Sequence, residues 1–136
     1  MDVQFLGGAG EVGRSAILVN DRLLLDYGVQ SATPMQYPVG DVAPEAVVVS
    51  HGHLDHAGAV PTLLSGDRRP EIHWTPPTAA LTRTLARDTL KLHGGTMQCP
   101  FTQTHVARLG EVECRHGYRE SFEAAGHEVT FYDAGH

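Results

Sequence analysis

The stretch Ser50-His51-Gly52-His53-Leu54-Asp55-His56 gathers three imidazoles and a carboxylate into a few consecutive positions. Imidazole nitrogen and carboxylate oxygen are ligands for zinc, and a catalytic zinc keeps one position open for water. The alternative is a surface loop that happens to be rich in histidine. Given nine histidines in 136 residues, chance alone would produce this pattern in roughly two chains per thousand. His51 and His53, two positions apart, project to the same side where the backbone stays extended. Asp55 and His56 are adjacent, so on a first helical turn they diverge by roughly 100°. Such divergence suits two neighbouring metals better than one crowded ion. Water activated by bound metal is hydrolytic chemistry.

The elements that must position these residues are legible around them. Residues 46–50 (AVVVS) are apolar and β-branched and read as a strand ending directly at the cluster. Residues 55–64 suit a short helix, although Pro61 near its middle would kink or end it. Earlier, residues 3–6 (VQFL), 16–19 (AILV) and 23–25 (LLL) read as strands. The last two form a hairpin across Asn20-Asp21-Arg22. Their unbroken apolar character predicts cover on both faces. A long loop with Pro34, Pro38 and Gly40 as breakers runs over residues 28–41, a length usually functional or mobile.

Residues 71–75 (EIHWT) read as a strand and 77–93 as the best helix, with Leu81, Leu85, Leu90 and Leu92 as its apolar face and Gly94-Gly95 as its stop. A weaker helix covers 104–109. Residues 118–132 read as a hairpin turning at Ala125-Gly126, with 128–132 as its second strand. Strands, a crossover helix and further strands make a mixed α/β domain.

Composition bounds the rest. The length fits one domain, and 41% hydrophobic with 19% charged residues is globular composition. No apolar run is long enough for a membrane span, and no secretory leader pattern opens the chain. Two cysteines, Cys99 and Cys114, are too few for a disulfide framework. The expectation is a cytoplasmic protein with no membrane partner. A net charge of −6 argues against nucleic-acid binding driven by overall charge alone. His73, His93, His105, His116 and His127 lack ligand spacing and are read as structural or surface residues, Cys99 and Cys114 as ordinary thiols, and Trp74 as core.

The cluster resembles the second motif, H-x-H-x-D-H, of the metallo-β-lactamase superfamily. Leu24-Leu25-Asp26-Tyr27-Gly28 is similar to the first motif, an Asp at the end of an early strand, and Asp133-Ala134-Gly135-His136 to the third. The opening Phe5-Leu6-Gly7-Gly8-Ala9-Gly10-Glu11-Val12-Gly13-Arg14-Ser15 resembles the β-CASP branch, RNA-cleaving enzymes related to cleavage and polyadenylation specificity factors. Residues 50–61, Thr75-Pro76-Pro77-Thr78 and Asp88-Thr89-Leu90-Lys91-Leu92 are similar to its archaeal members.

The resemblance implies a metallo-β-lactamase-like αββα sandwich, of which this mixed sheet with flanking helices is the N-terminal half. It implies that His51, His53 and His136 hold one zinc, and Asp55 and His56 the other. Asp55 is the candidate catalytic residue, able to take a proton from the attacking water. Asp26 is expected to orient a ligand through hydrogen bonds, and Arg14 to contact phosphate. The glycine-rich loop before Arg14 could bring backbone N–H groups to a phosphate or simply form a tight turn beside the site. RNA is the implied partner of the complete enzyme, since metal charge in the cleft offsets the acidic surface.

The family's pattern continues beyond its third motif with another metal-binding aspartate, an inserted β-CASP domain and a return to the first domain. The expectation is therefore an N-terminal part that holds at most one zinc, is inactive alone, and associates through exposed apolar surface, either with itself or with the missing half. Rival readings are a thioester or lactone hydrolase of the same superfamily, and a non-catalytic binding subunit.

Overall fold

The computed structural model describes residues 1–31, 34–67 and 69–135. Six strands form one mixed sheet: β1 Val3–Gly7, β2 Ala16–Val19, β3 Leu23–Leu25, β4 Ala46–Val48, β5 Glu71–Trp74 and β6 Glu113–Arg115. They lie in that order across the sheet. The first three strands are antiparallel, and β3 through β6 run parallel. The β2–β3 hairpin turns on Asn20 and Asp21, whose φ angles of 52° and 57° are those of a type I′ turn. Its register, Val19↔Leu23 and Ile17↔Leu25, matches the expected pairing.

The continuous apolar strands are covered on both faces. Leu24, Val47, Ile72 and Trp74 belong to a large cluster that includes the helices. Leu23, Ala46 and Val48 face a smaller cluster built by the second hairpin, β7 Ser121–Ala124 and β8 His127–Thr130. That hairpin turns at Ala125-Gly126, both at positive φ, and β8 stops at Thr130 where residues 128–132 were expected to be extended.

Three expectations need correction. Residues 55–64 are not one helix but α1, Leu54–Ala57, followed by a 3-10 segment, Val60–Leu64. Pro61 sits in the first turn of the second piece, where its missing N–H costs nothing. Second, α2, Pro76–His93, does not bury its leucines. The buried stripe is Thr78, Ala79, Thr82, Ala86 and Thr89, while Leu81 and Leu92 are exposed. These small side chains fall on one face at helical spacing. Thr89 returns its hydroxyl to Leu85 O at 3.0 Å and Thr78 accepts from the Thr75 hydroxyl at 3.1 Å, while the buried Thr82 hydroxyl has no hydrogen-bond partner. Third, α3, Gln103–Val112, runs straight into β6, a strand the sequence did not announce. No helix among the described residues is long and apolar enough to cross a membrane.

Candidate metal centre

The histidine cluster emerges from the C-terminal end of β4, flanked by parallel neighbours, the edge at which ligands bind in parallel sheets. A helix of four residues such as α1 has no stability of its own. Here its carbonyls are held from outside. Tyr27 N–H donates to His56 O at 2.8 Å, Val29 N–H to Leu54 O at 2.8 Å and Ser15 N–H to Asp55 O at 2.9 Å. The segment after β3, together with Ser15 just before β2, therefore clamps the helix that carries Asp55 and His56. Gly28 makes the clamp possible: a Cβ there would lie 1.9 Å from Asp55 O. Gly52 has a similar part, since a Cβ would stand 2.8 Å from the Leu81 side chain, where α2 closes over the loop.

Asp26 ends β3 in the left-handed region at φ 62°, a strained conformation that aspartate tolerates better than most residues. Its carboxylate is the centre of a small network. Oδ1 accepts the Ser50 backbone N–H at 2.6 Å, and Oδ2 accepts the Ser50 hydroxyl at 2.8 Å. Oδ2 also lies 2.7 Å from His56 Nδ1. A carboxylate on Nδ1 fixes the tautomer and leaves the lone pair on Nε2, 3.5 Å from Asp55 Oδ2. The hydrogen bond to Asp26 raises the His56 pKa above the ordinary histidine value, against the opposing effect of burial. Ser50 Oγ lies 3.1 Å from His51 Nδ1, so the same network reaches a second imidazole. Ser50 is a positioning residue that sequence reasoning passed over. Its signal was its place between the strand and the first histidine.

The donor atoms of His51, Asp55 and His56 all lie within 4.8 Å of one another. Asp55 Oδ2 is 3.5 Å from His56 Nε2, and the His51 and His56 rings are 4.0 Å apart. The two neighbours expected to diverge instead face a common space, because the helix begins at Leu54 and the clamp holds His56 back against Asp26. His53 caps α1 and lies edge-on to His51, with ring centroids 5.0 Å apart. Both line a cleft of about 450 Å³ whose far wall includes Tyr118, Phe131, Tyr132 and Asp133. Asp133 and Ala134 of the third motif thus reach the site, while His136 lies outside the described residues.

Arg14 is engaged elsewhere. Its guanidinium pairs with both carboxylate oxygens of Glu11, at 2.5 and 3.2 Å, and with Tyr37 O at 3.2 Å. Glu11 also accepts the Gly8 N–H at 3.2 Å, and Gly8, Gly10 and Gly13 all sit at positive φ. The glycine loop closes on itself as a tight turn.

Two imidazoles and a carboxylate converging, one imidazole braced by Asp26, is a donor set that fits a divalent transition metal. Comparison with known proteins agrees. The family model for the metallo-beta-lactamase superfamily matches residues 9–127. Over 98% of this chain, an RNase aCSPSF2 of Saccharolobus solfataricus is 36% identical, with 28% of its own length covered. An RNase J-like protein of Methanocaldococcus jannaschii is 35% identical over 98% of this chain and 31% of its own. A transcription termination factor FttA of Methanosarcina mazei is 34% identical over 98% of this chain and 23% of its own. The chain thus spans less than a third of the length of these relatives. It belongs to the metallo-beta-lactamase superfamily, and archaeal RNases and transcription termination factors are among its relatives.

Proposed function

We propose that this chain is the N-terminal part of a zinc-dependent, RNA-cleaving hydrolase of the β-CASP type, working in cytoplasmic RNA processing or decay. The observation that carries the reading is the convergence of His51, Asp55 and His56 at the mouth of a parallel sheet, with Asp26 bracing His56. The two-metal assignment stays as first read: His51, His53 and His136 for one ion, Asp55 and His56 for the other. When bound, zinc would supply a water of lowered pKa and positive charge for the phosphate oxygens.

The chain's own residues do the remainder. Asp55 takes the proton of the attacking water through a carboxylate lone pair. Asp26 and Ser50 hold the His56 and His51 rings so that each presents Nε2. Exposed Tyr118 and Tyr132 on the opposite wall offer stacking surface for an unpaired base. Arg14 contacts phosphate with a charge it shares with Glu11. The activity of the whole enzyme needs the rest of the fold, which supports the expectation that these 136 residues alone are inactive; the limit of one zinc, expected of the whole chain, is kept here for the cleft alone. The outer edge of β1 has no strand partner among the described residues, and Val3 and Phe5 on it are exposed, which favours association there.

The test is a chimera in which this chain replaces the N-terminal third of an archaeal relative. It should cleave labelled RNA in a zinc-dependent way and leave a lactone and a thioester intact. Turnover of either small molecule without RNA cleavage would replace the reading with the small-molecule one. Robust RNA cleavage by the 136-residue chain alone would refute its dependence on a second half.

A further inference from the structure

A second group of metal-binding side chains stands apart from the cleft, on the face of the sheet covered by the β7–β8 hairpin. Strands β5 and β6 are parallel neighbours with His73 opposite Cys114. Alternation puts Glu71 and His73 on one face of β5, since Ile72 and Trp74 between and after them point into the helix-side core. One oxygen of Glu71, one nitrogen of His73 and the sulfur of Cys114 all lie within 4.8 Å of one another.

The histidine carries an independent sign of a missing ligand. His73 is 4% exposed, and its Nε2 is buried without a hydrogen-bond partner. Glu71 Oε1, the nearest carboxylate atom, is 3.6 Å from it, too long for a hydrogen bond. The other ring nitrogen is satisfied: Nδ1 lies 2.8 Å from His116 Nε2. The His116 ring is fixed in turn by stacking on Phe122, with centroids 3.7 Å apart. A histidine braced at Nδ1 with a bare, buried Nε2 is the arrangement of a metal ligand held by its surroundings.

We propose that Glu71, His73 and Cys114 bind a zinc-like divalent transition-metal ion, with His116 positioning His73 by accepting its Nδ1–H. Zinc bonds of 2.0–2.3 Å in tetrahedral geometry space the ligand atoms roughly 3.3–3.6 Å apart. The separation of 3.6 Å between His73 Nε2 and Glu71 Oε1 is already of that order, and the sulfur lies within 4.8 Å of a donor atom of each. A thiolate, an imidazole and a carboxylate together select zinc or cobalt over magnesium or calcium. Glu71 is largely exposed, so the ion reaches the group from solvent. Its consequence is mechanical. β6 is a three-residue strand at the edge of the sheet, and an ion shared by β5 and β6 pins that edge.

Cobalt(II) added to the metal-free chain tests this, because cobalt bound to thiolate gives a near-ultraviolet sulfur-to-metal charge-transfer band and the cleft has no thiol. One equivalent should develop the band, and zinc should abolish it. Cys114→Ser should lose it, while Cys99→Ser and the His51→Ala/His56→Ala double variant keep it. Glu71→Gln, a surface change that leaves packing intact, should weaken cobalt binding about tenfold or more. No thiolate band in excess cobalt, a band that survives Cys114→Ser, or unchanged affinity in Glu71→Gln would each overturn the proposal.

Discussion

His51 and His56 reach one another through a few residues of chain, whereas His73 and Cys114 are separated by α2 and α3 and meet only because β5 and β6 pair in register. The first cluster is open, at the C-terminal mouth of the sheet, and is braced by a carboxylate. The second is roofed by a hairpin and braced by another imidazole. The electrostatics follow the surroundings. The hydrogen bond to Asp26 raises the pKa of His56. Burial, reinforced by the neighbouring His116 charge, lowers that of His73, and burial lowers that of His116. A short motif thus signals an accessible site from sequence, while a site assembled across strands leaves no such trace.

The strongest way to separate the two regions is to remove the cleft ligands. His51→Ala combined with His56→Ala should abolish metal retention in the cleft and leave the thiolate–cobalt band of the β5–β6 group at full height. Loss of both signals would mean the clusters are one coupled unit. Next in size is Asp26→Asn, which keeps the shape but no longer orients His56 through a charge. Metal affinity of the cleft, measured by competition with a chelator, should fall about 10–100-fold, with no change in the other group. Gly28→Ala pushes a methyl into the Asp55 carbonyl. Denaturant unfolding should show a loss of about 1–3 kcal/mol or more, with weaker cleft binding because the clamp on α1 loosens.

A smaller effect is expected from acid. In chelator, NMR titration should find His56 gaining its proton above the ordinary value of 6.5, and His73 and His116 only below it. The signs are opposite. His56 adds stability that is fully present below 6.5 and is lost as pH rises through its folded value. His73 and His116 subtract stability as pH falls below 6.5, because the unfolded chain takes up protons that the folded one refuses. Identical titration of all three rings would erase the contrast. The smallest effect is that of Arg14→Ala. Metal binding should not change in either region, and in the chimera KM for RNA should rise a few-fold with kcat retained.

Much of this was legible in the chain. The β2–β3 hairpin, β4 running into the histidines, the extent of α2 and the turn at Ala125-Gly126 all come from local patterns: apolar runs, an Asn-Asp turn, a proline start and a glycine stop. The local signals failed where a neighbour decided. Leucine spacing pointed to one face of α2, but the Thr/Ala stripe is the buried one, on a helix whose neighbours are α1 and α3. Residues Glu113–Arg115 (ECR) have no strand-like alternation and become β6 by pairing with β5.

The family, the mixed α/β class and the candidate ligands of the cleft are readable from the chain alone, because each is written in residues a few positions apart. Only the tertiary structure brought the Asp26 carboxylate onto His56, turned Asp55 and His56 toward the same space, tied Arg14 to Glu11 and set Glu71, His73 and Cys114 side by side. The physical reason is the range of the forces. Helix and turn preferences act within one or two turns of chain, whereas strand register and the closure of long loops are decided by the packed sheet as a whole.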